Sequence, residues 1–229
     1  AGVAHEINNP LHAIATAAEG LEWRLVGRLD HLEEADRAVI KEYLAMMQTE
    51  AARCRGITEK LLDFARGKGS EKNRYDVTAI VDDTVSVLEH VGKFRDRTIR
   101  FDVTAEHFAW VNGSEIKQVV LNLVANALEA TEPGGEVRID IRETPDSVEV
   151  TCQDNGCGMT PEVLDHIFDP FFSTKQHKAT AKGTGLGLSI SHRIVQDHHG
   201  SLEAMSEGPG QGSTFRLRLP KSPRRAQAA

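Results

Sequence analysis

Between Ile7 and Ala65, apolar residues recur along the chain at alternating steps of four and three. In the first stretch these positions are Ile7, Leu11, Ile14, Ala18, Leu21 and Leu25. In the second stretch they are Ile40, Leu44, Met47, Ala51, Cys54, Thr58, Leu61 and Ala65. This spacing places one apolar stripe on each of two long helices. Asp30 followed by Glu33 is typical of a capping box, so the pattern predicts a helical hairpin whose second helix begins there.

A helical hairpin of this kind buries only one narrow stripe on each helix. We therefore expect it to pair with a second copy and form a dimeric four-helix bundle, which makes the protein a homodimer. The polar stretch GKGSEKNR, from Gly67 to Arg74, contains no apolar side chain and marks a linker. The predicted parts are a hairpin over residues 1–67, a linker over 68–74, a second domain over 75–221 and a tail over 222–229.

Beyond the linker, the pattern changes to a mixture of helices and strands. Amphipathic helices are predicted around Ile80 to Leu88, from a cap at Ser114 to about Ala130, and from about Leu186 onward. Alternation predicts a strand from Thr98 to Val103, and two hairpins formed by VRIDIR with SVEVTC and by SLEAMS with TFRLRL. Helices combined with mostly antiparallel strands predict an α+β fold in which the second domain is a two-layer α/β sandwich.

Composition narrows the classes of protein that fit this fold. The chain has 229 residues, 40% of them hydrophobic, which is enough for a sizeable core. Its net charge of -7 argues against nucleic-acid binding, which requires clustered Lys and Arg. Three irregularly spaced cysteines favour a reducing compartment, and no apolar run is long enough to span a membrane. We expect a cytoplasmic piece of a longer protein, whose upstream segments would carry any sensor or membrane tether.

The octet AHEINNPL in the first helix places polar groups on the outside of the predicted bundle. Because Ile7 belongs to the apolar stripe, His5 lies on the outer flank, with Asn9 four residues later on the same face. Pro10 cannot donate to the carbonyl oxygen of Glu6, which predicts a distortion beside the imidazole. An exposed histidine is by itself usually an ordinary surface residue, so the second domain decides what this octet means.

Two segments of the second domain have side chains suited to a nucleotide and a cation. In NLVANALEA, Asn122 and Asn126 share a helix face, where their amide oxygens suit a hard cation bridged to phosphates. DNGCGM places Asp154 at a strand end, where a carboxylate can accept from an exocyclic amine. Gly156 and Gly158 then let the backbone pass close to a flat base.

Two further segments supply an apolar anchor and a loop for phosphates. FDPFFSTK contains three phenylalanines and a cation, Phe168, Phe171, Phe172 and Lys175. KGTGLGLS leads into a helix with Gly183, Gly185, Leu186 and Gly187. Free backbone amides and the helix dipole favour a triphosphate there, although the loop fits neither a dinucleotide-binding fingerprint nor a P-loop. The sequence leaves open which of the lysines in this region, Lys175, Lys178 or Lys182, contacts phosphate.

In this order, the segments resemble the boxes of two-component sensor histidine kinases over about residues 1–220. HEINNPL resembles the phospho-acceptor box, and the other four resemble the ATP-binding boxes. The resemblance implies that ATP phosphorylates His5, that Glu6 is its acid/base partner, and that Asn9 positions water when a response regulator is dephosphorylated. It implies Mg²⁺ at Asn126 and adenine recognition by Asp154.

The resemblance also extends to the end of the second domain and to binding partners. Thr214, in GQGSTF, resembles the family's last box and is expected to support the adenine contact. The glycine-rich segment resembles a mobile lid over the nucleotide. The family implies that the receiver domain of a response regulator accepts the phosphoryl group on an aspartate. Whether phosphorylation occurs within one subunit or between two depends on the turn between the helices, which the sequence leaves open.

Two other functions fit parts of this pattern. The nucleotide fold is also similar to that of type II topoisomerase and mismatch-repair ATPases, which carry a glutamate one turn before the magnesium asparagine. Here that position is Asn122, and an amide is a poor general base, so transfer to His5 is favoured over hydrolysis. A silent ATP-binding scaffold is disfavoured because both His5 and Asn126 are present.

Overall fold

The first of two compact units is helical. A computed structural model describes residues 2–25, 34, 36–49, 51, 71–174 and 185–223, and the chain divides into Ala1–Gly69 and Ser70–Ala229. In the first unit, helix α1 spans Gly2–Leu25 and continues through Pro10, while residues 36–49 belong to helix α2. Gln48 Nε2 donates to Glu22 Oε2 over 3.0 Å and joins the two helices. The predicted helical hairpin is therefore confirmed, whereas Asp30 and Glu33 lie outside the described residues.

The apolar stripe of the hairpin is only partly buried within one chain. Ala18, Leu44 and Ala51 are buried. Other stripe positions remain open, with Leu21 50% exposed and Met47 45% exposed. None of the helices within the described ranges combines the length and the apolar character that a membrane span needs.

The second unit is built on a five-stranded mixed sheet. Its strands in spatial order are β2 (Thr98–Arg100), β4 (Glu136–Glu143), β5 (Ser147–Asp154), β7 (Ser213–Pro220) and β6 (Ser201–Met205). Only β2 pairs in parallel, with β4, and the other neighbours are antiparallel. Both predicted hairpins, β4–β5 and β6–β7, are confirmed. The strand expected from Thr98 to Val103 is shorter than predicted because it ends at Arg100.

Helices cover one face of this sheet and leave the other polar. They are α3 (Val77–Glu89), α4 (Gly113–Ala130) and α6 (Gly187–Asp197), with α5 (Pro161–His166) and a 3₁₀ turn at Gly92–Phe94 in the connections. Helix α4 lies between α3 and α6 and contacts β4 and β5. Alternate residues of β5 and β7 are buried against the helices, while Glu149, Glu203 and Arg218 form ion pairs on the opposite face. The predicted two-layer α/β sandwich is therefore confirmed.

Two local features differ from the sequence prediction. Helix α4 is capped by Asn112, whose side chain accepts from the backbone N–H of Glu115 over 3.0 Å, and not by Ser114. Ser114 lies two positions past the cap, inside the helix, and its hydroxyl donates to the Asn112 side chain. A second small sheet pairs β1 (Asn73–Asp76) with β3 (Phe108–Val111). The sequence assigns Asn73 and Arg74 to the linker, but both lie in β1.

A buried histidine fixes the end of α6 against the start of α4. His198 is 1% exposed. Its Nδ1 donates to the carbonyl oxygen of Ile194 over 2.7 Å, and its Nε2 accepts from the backbone N–H of Asn112 over 3.0 Å. Since the ring both donates and accepts, these contacts define a neutral tautomer. The contact holds together the two helices that carry most of the candidate site.

Candidate functional site

The centre of the candidate site is a buried carboxylate at the end of β5. Asp154 is 4% exposed. Its Oδ1 accepts from the backbone N–H of Gly156 over 2.9 Å, but its buried Oδ2 has no partner within the described residues. Burial raises the pKa of this carboxyl, while backbone hydrogen bonds from Gly156 and Ser213 act in the opposite direction. A buried acceptor without a donor suits a ligand that brings an N–H group of its own, such as the amino group of adenine.

Glycines let three backbone segments close in around Asp154. A Cβ on Gly156 would overlap the carbonyl oxygen of Ala130, at the end of α4. Gly158 has a φ of 65°, and a Cβ there would overlap the carbonyl oxygen of Gly208. Gly212 has a φ of 70°, and a Cβ there would overlap the carbonyl oxygen of Asp154. Side chains at these positions would push the walls apart, so Gly156, Gly158 and Gly212 form a glycine cradle around the carboxylate, of which the sequence singled out the first two.

The residue beside Asp154 on the neighbouring strand is Ser213, and the expectation for Thr214 needs correction. In the β5–β7 register, Asp154 pairs with Ser213 and Gln153 pairs with Thr214. Paired residues lie on the same face of a sheet, and successive residues alternate between faces. Thr214 therefore faces away from the carboxylate, while Ser213 is 7% exposed on the buried face. Sequence reasoning missed Ser213, although counting strand alternation back from buried Phe215 would have found it.

The two asparagines of α4 form a hydrogen-bonded chain that reaches α6. Asn126 Nδ2 donates to Asn122 Oδ1 over 3.3 Å, and Asn122 Nδ2 donates to Ser191 Oγ over 3.0 Å. Both asparagines are half-buried and share a helix face, as their spacing predicts. In the part of the chain that the structure describes, Asn126 Oδ1 accepts no hydrogen bond, so this oxygen is available to a ligand. The sequence did not single out Ser191, because its contact depends on how α4 and α6 pack.

The phenylalanine segment contacts the end of the glycine-rich segment. Phe168 stacks on His192 of α6, with ring centroids 4.8 Å apart. Phe171 has a φ of 67°, and its backbone N–H donates to the carbonyl oxygen of Gly185 over 3.0 Å. Gly185 has a φ of 68°, and a Cβ there would lie against the Phe171 backbone. The two predicted segments therefore meet, although Lys175, Lys178, Lys182 and Gly183 lie outside the described residues.

The start of α6 brings the last predicted residues next to the asparagines. Leu186 is 2% exposed and precedes the helix without a side-chain cap. Gly187 is its first residue, and a Cβ there would overlap Asn122 Oδ1. Unpaired backbone amides at a helix start favour an anion. Asp154, Asn126 and the start of α6 thus offer a buried carboxylate, an amide oxygen and a helix N-terminus.

The predicted phospho-acceptor residues lie in the other unit. His5, Glu6 and Asn9 all lie in α1, whose backbone is helical there, but the structure describes none of their side chains. Within the described ranges, no group of three or more His, Cys, Asp and Glu side chains is suited to hold a metal ion. A cation at Asn126 would therefore need further ligands such as water or oxygen atoms of a bound nucleotide.

Two family profiles match the chain, and between them they include these residues. Residues 1–70 match the His Kinase A (phospho-acceptor) domain. Residues 112–223 match the histidine kinase-, DNA gyrase B-, and HSP90-like ATPase. His5 lies in the first match, and Asn126 and Asp154 lie in the second.

Curated relatives include two histidine kinases of Escherichia coli strain K12. The signal transduction histidine-protein kinase AtoS is 34% identical over 229 residues, which cover 97% of this chain and 34% of AtoS. The sensor histidine kinase ZraS is 32% identical over 223 residues, which cover 96% of this chain and 44% of ZraS. The chain therefore spans less than half the length of either relative.

Solved structures of the histidine kinase ThkA are also similar to this chain. Its nucleotide-free catalytic domain is 30% identical with a TM-score of 0.57, over 67% of this chain and 100% of that chain. ThkA in complex with the response regulator protein TrrA is 28% identical with a TM-score of 0.66, over 98% of this chain and 61% of that chain. The second match includes both units of the fold.

Proposed function

Because this chain belongs to the sensor histidine kinases and carries their phospho-acceptor and ATP-binding domains, we propose that it phosphorylates His5 with ATP. The phosphoryl group then passes to an aspartate of a response regulator. ATP binding in this proposal rests on one observation: within the described residues, the buried Oδ2 of Asp154 has no hydrogen-bond partner, and glycines surround it. The same groups would hold the adenine of ATP, with Ser213 beside them.

The proposed chemistry at His5 needs positioning more than covalent assistance. One nitrogen of the neutral imidazole attacks the γ-phosphorus, and ADP leaves from the opposite side. Glu6 accepts the proton from the other ring nitrogen, which keeps the attacking nitrogen nucleophilic. Asn9 positions water when the regulator is dephosphorylated. Lys175 and the glycine-rich segment of Gly183, Gly185, Leu186 and Gly187 are the groups proposed to bind the phosphates, and Phe168 is the proposed apolar anchor.

We assign Mg²⁺ to Asn126. Its Oδ1 accepts no hydrogen bond within the described residues, and an amide oxygen is a suitable ligand for a hard cation. When bound, the ion neutralises charge that develops on the phosphates. The protein contributes an oriented oxygen and, through Asn122, a second amide that holds it in place.

The contacts of Asn122 support transfer over hydrolysis. In the related ATPases, a glutamate at this position activates water. Here the position carries an amide whose two ends are occupied by Asn126 and Ser191. Since an amide cannot accept a proton from water at neutral pH, the site lacks a general base there. ATP turnover in solution should therefore be slow compared with the formation of phosphoprotein.

The remaining parts of the proposal concern assembly and location. A homodimer would bury the stripe that one hairpin leaves exposed. The receiver domain of a response regulator is the proposed acceptor, which the complex of ThkA with TrrA supports. The reaction consumes ATP, so this part of the protein is proposed to be cytoplasmic. The proposed domain limits are residues 1–67, 75–221, the linker 68–74 and the tail 222–229.

The test of this proposal is incubation with γ-labelled ATP and Mg²⁺. We expect label on the protein that survives alkali and is lost in acid, as a phosphoramidate should be. His5→Gln should abolish the label while leaving binding of a fluorescent ADP analogue intact. His12→Gln is the matched control, because His12 lies one heptad later on the same helix. Label that persists in His5→Gln would move the acceptor to another residue.

A second assay separates transfer from hydrolysis. Phosphate release and phosphoprotein are measured in the same reaction, for the parent chain and for Asn122→Glu. The parent should form phosphoprotein with little free phosphate, whereas the new carboxylate should raise phosphate release. Rapid phosphate release by the parent without labelled protein would favour a hydrolase instead.

A further inference from the structure

Two pairs of residues, each four apart on its own helix, face each other between α4 and α6. Asn122 and Asn126 lie on α4, and Gly187 and Ser191 lie on α6. A Cβ on Gly187 would overlap Asn122 Oδ1, while Ser191 Oγ lies 3.0 Å from Asn122 Nδ2. We propose that Ser191 is a positioning residue that acts through Asn122 to turn the Asn126 oxygen toward Mg²⁺. This inference rests on the proposed function.

The asparagine pair can form its hydrogen bond in two ways. In the observed arrangement, Asn126 Nδ2 donates to Asn122 Oδ1 over 3.3 Å, and Asn126 Oδ1 is left for a ligand. If both amides rotated by half a turn, Asn122 Nδ2 would donate to Asn126 Oδ1, and an NH₂ group would face the cation. An amide nitrogen has only donors to offer and cannot bind a cation. Metal binding therefore requires one of two arrangements that the pair by itself does not distinguish.

Helix α6 contacts both ends of the Asn122 amide, and the end that meets the start of the helix distinguishes the two arrangements. Gly187 is the first residue of α6, and the positive end of a helix dipole favours an oxygen over an NH₂ group. The missing side chain of Gly187 is what allows Asn122 Oδ1 to come so close. One turn further along, the Ser191 hydroxyl accepts from the NH₂ group. The start of α6 at Gly187 therefore selects the arrangement that leaves the Asn126 oxygen exposed to a ligand, and the Ser191 hydroxyl, as the acceptor for the Asn122 NH₂ group, anchors the amide in that arrangement.

The burial of Ser191 makes its hydroxyl hard to replace. Its side chain is 2% exposed, so water cannot readily take its place beside Asn122 Nδ2. Without the hydroxyl, this donor would lack a partner and the amide would gain freedom to rotate. Because the contact made by Ser191 is to Asn122, the expected effect concerns the metal and spares the adenine.

The experiment compares Ser191→Ala with Ser189→Ala in the full chain. Ser189 is the matched control because it is also buried on α6, at 6% exposure, but its hydroxyl donates to the carbonyl oxygen of Leu186. Binding of a fluorescent ADP analogue is measured with EDTA and then over a titration with Mg²⁺. Ser191→Ala should raise the half-saturating Mg²⁺ concentration about tenfold, the size expected when a partner of a metal ligand is lost. The affinity of Ser191→Ala for the ADP analogue in EDTA should stay unchanged. Ser189→Ala should keep the parent response to Mg²⁺.

Two results would overturn the positioning role. One is a parent-like Mg²⁺ response in Ser191→Ala. The other is an equal loss of affinity with and without Mg²⁺, which would mean that the hydroxyl only supports the fold. Asn126→Ala in the same titration separates this inference from the proposed function. If Asn126→Ala removes the Mg²⁺ response and Ser191→Ala does not, only the positioning role fails; if Asn126→Ala responds like the parent, the metal assignment itself fails.

Discussion

The two units of this chain complete their apolar packing in different ways. In the ATP-binding unit, core residues such as Ile116, Leu128 and Leu217 are fully buried within a single chain. In the helical unit, Ile14 and Leu21 occupy the predicted stripe but are 48% and 50% exposed. A stripe that stays open in one chain can be buried by a second copy. The ATP-binding unit is therefore self-contained, whereas the hairpin is expected to depend on dimerisation.

This difference separates the two halves of the proposed reaction. The proposed nucleophile, His5, belongs to the unit that is expected to share its packing with a second copy. The groups around Asp154 that are proposed to bind the nucleotide belong to the unit that packs by itself. Substitutions in one unit should therefore leave the other half of the reaction measurable.

The largest effect is expected from matched leucine truncations in the two units. Leu217 is 0% exposed, so Leu217→Ala should cost about 3 kcal/mol of unfolding free energy in the ATP-binding unit. Leu21→Ala should leave that unfolding transition unchanged but weaken self-association. Urea unfolding followed by circular dichroism measures the first effect, and analytical ultracentrifugation measures the second. Similar losses of unfolding free energy in both variants would contradict the comparison.

A somewhat smaller effect is expected for Asp154→Asn. The change replaces the charged acceptor with an amide and removes a charge-assisted hydrogen bond to adenine, which should weaken ADP binding about 50-fold. Self-association through the hairpin should not change. Calorimetric titration with ADP measures the first quantity, and sedimentation of the same sample checks the second. Parent-like affinity would exclude Asp154 as the adenine acceptor.

A still smaller effect should distinguish two adjacent residues of β7. Ser213→Ala removes a hydroxyl beside Asp154 and should weaken nucleotide binding roughly fivefold, which corresponds to one ordinary hydrogen bond. Thr214→Ala changes the opposite face of the sheet and should leave affinity unchanged. Fluorescent ADP binding to both variants measures the difference. A larger loss in Thr214→Ala would restore the expectation drawn from the sequence.

The smallest effect concerns pH and has opposite signs for stability and binding. Burial raises the pKa of Asp154, so the folded unit holds a proton more tightly than the unfolded chain does. At pH values between the pKa of Asp154 in the unfolded chain and its higher pKa in the folded unit, the contribution of this group to stability falls as pH rises. Nucleotide binding needs the ionised acceptor, so it should weaken as pH falls through the raised pKa. Melting temperature and ADP affinity across acidic pH measure both trends, and Asp154→Asn should remove both.

Much of the fold and of the site could be predicted because the relevant patterns are local. The stripe from Ile7 to Leu25 predicts α1, and the alternation in VRIDIR predicts β4. Asp154, Gly156 and Gly158 lie within five consecutive residues, so their proximity needs no knowledge of the fold, whereas the approach of Gly212 does. The pairing of strand β1 with β3 could not be predicted from the sequence, because β1 has only four residues and follows a polar stretch.

The sequence alone determined which residue types were available and where the backbone repeats its period, and this was enough to predict two helices, two hairpins and the glycines that follow Asp154, and to suggest His5 as the nucleophile. Only the tertiary structure decided which residues face each other across elements. Strand register placed Ser213 beside Asp154 and turned Thr214 away, and the packing of α6 on α4 brought Ser191 to Asn122. The reason is that helix and strand periods follow from local backbone geometry, whereas register and packing depend on contacts between residues far apart in the chain.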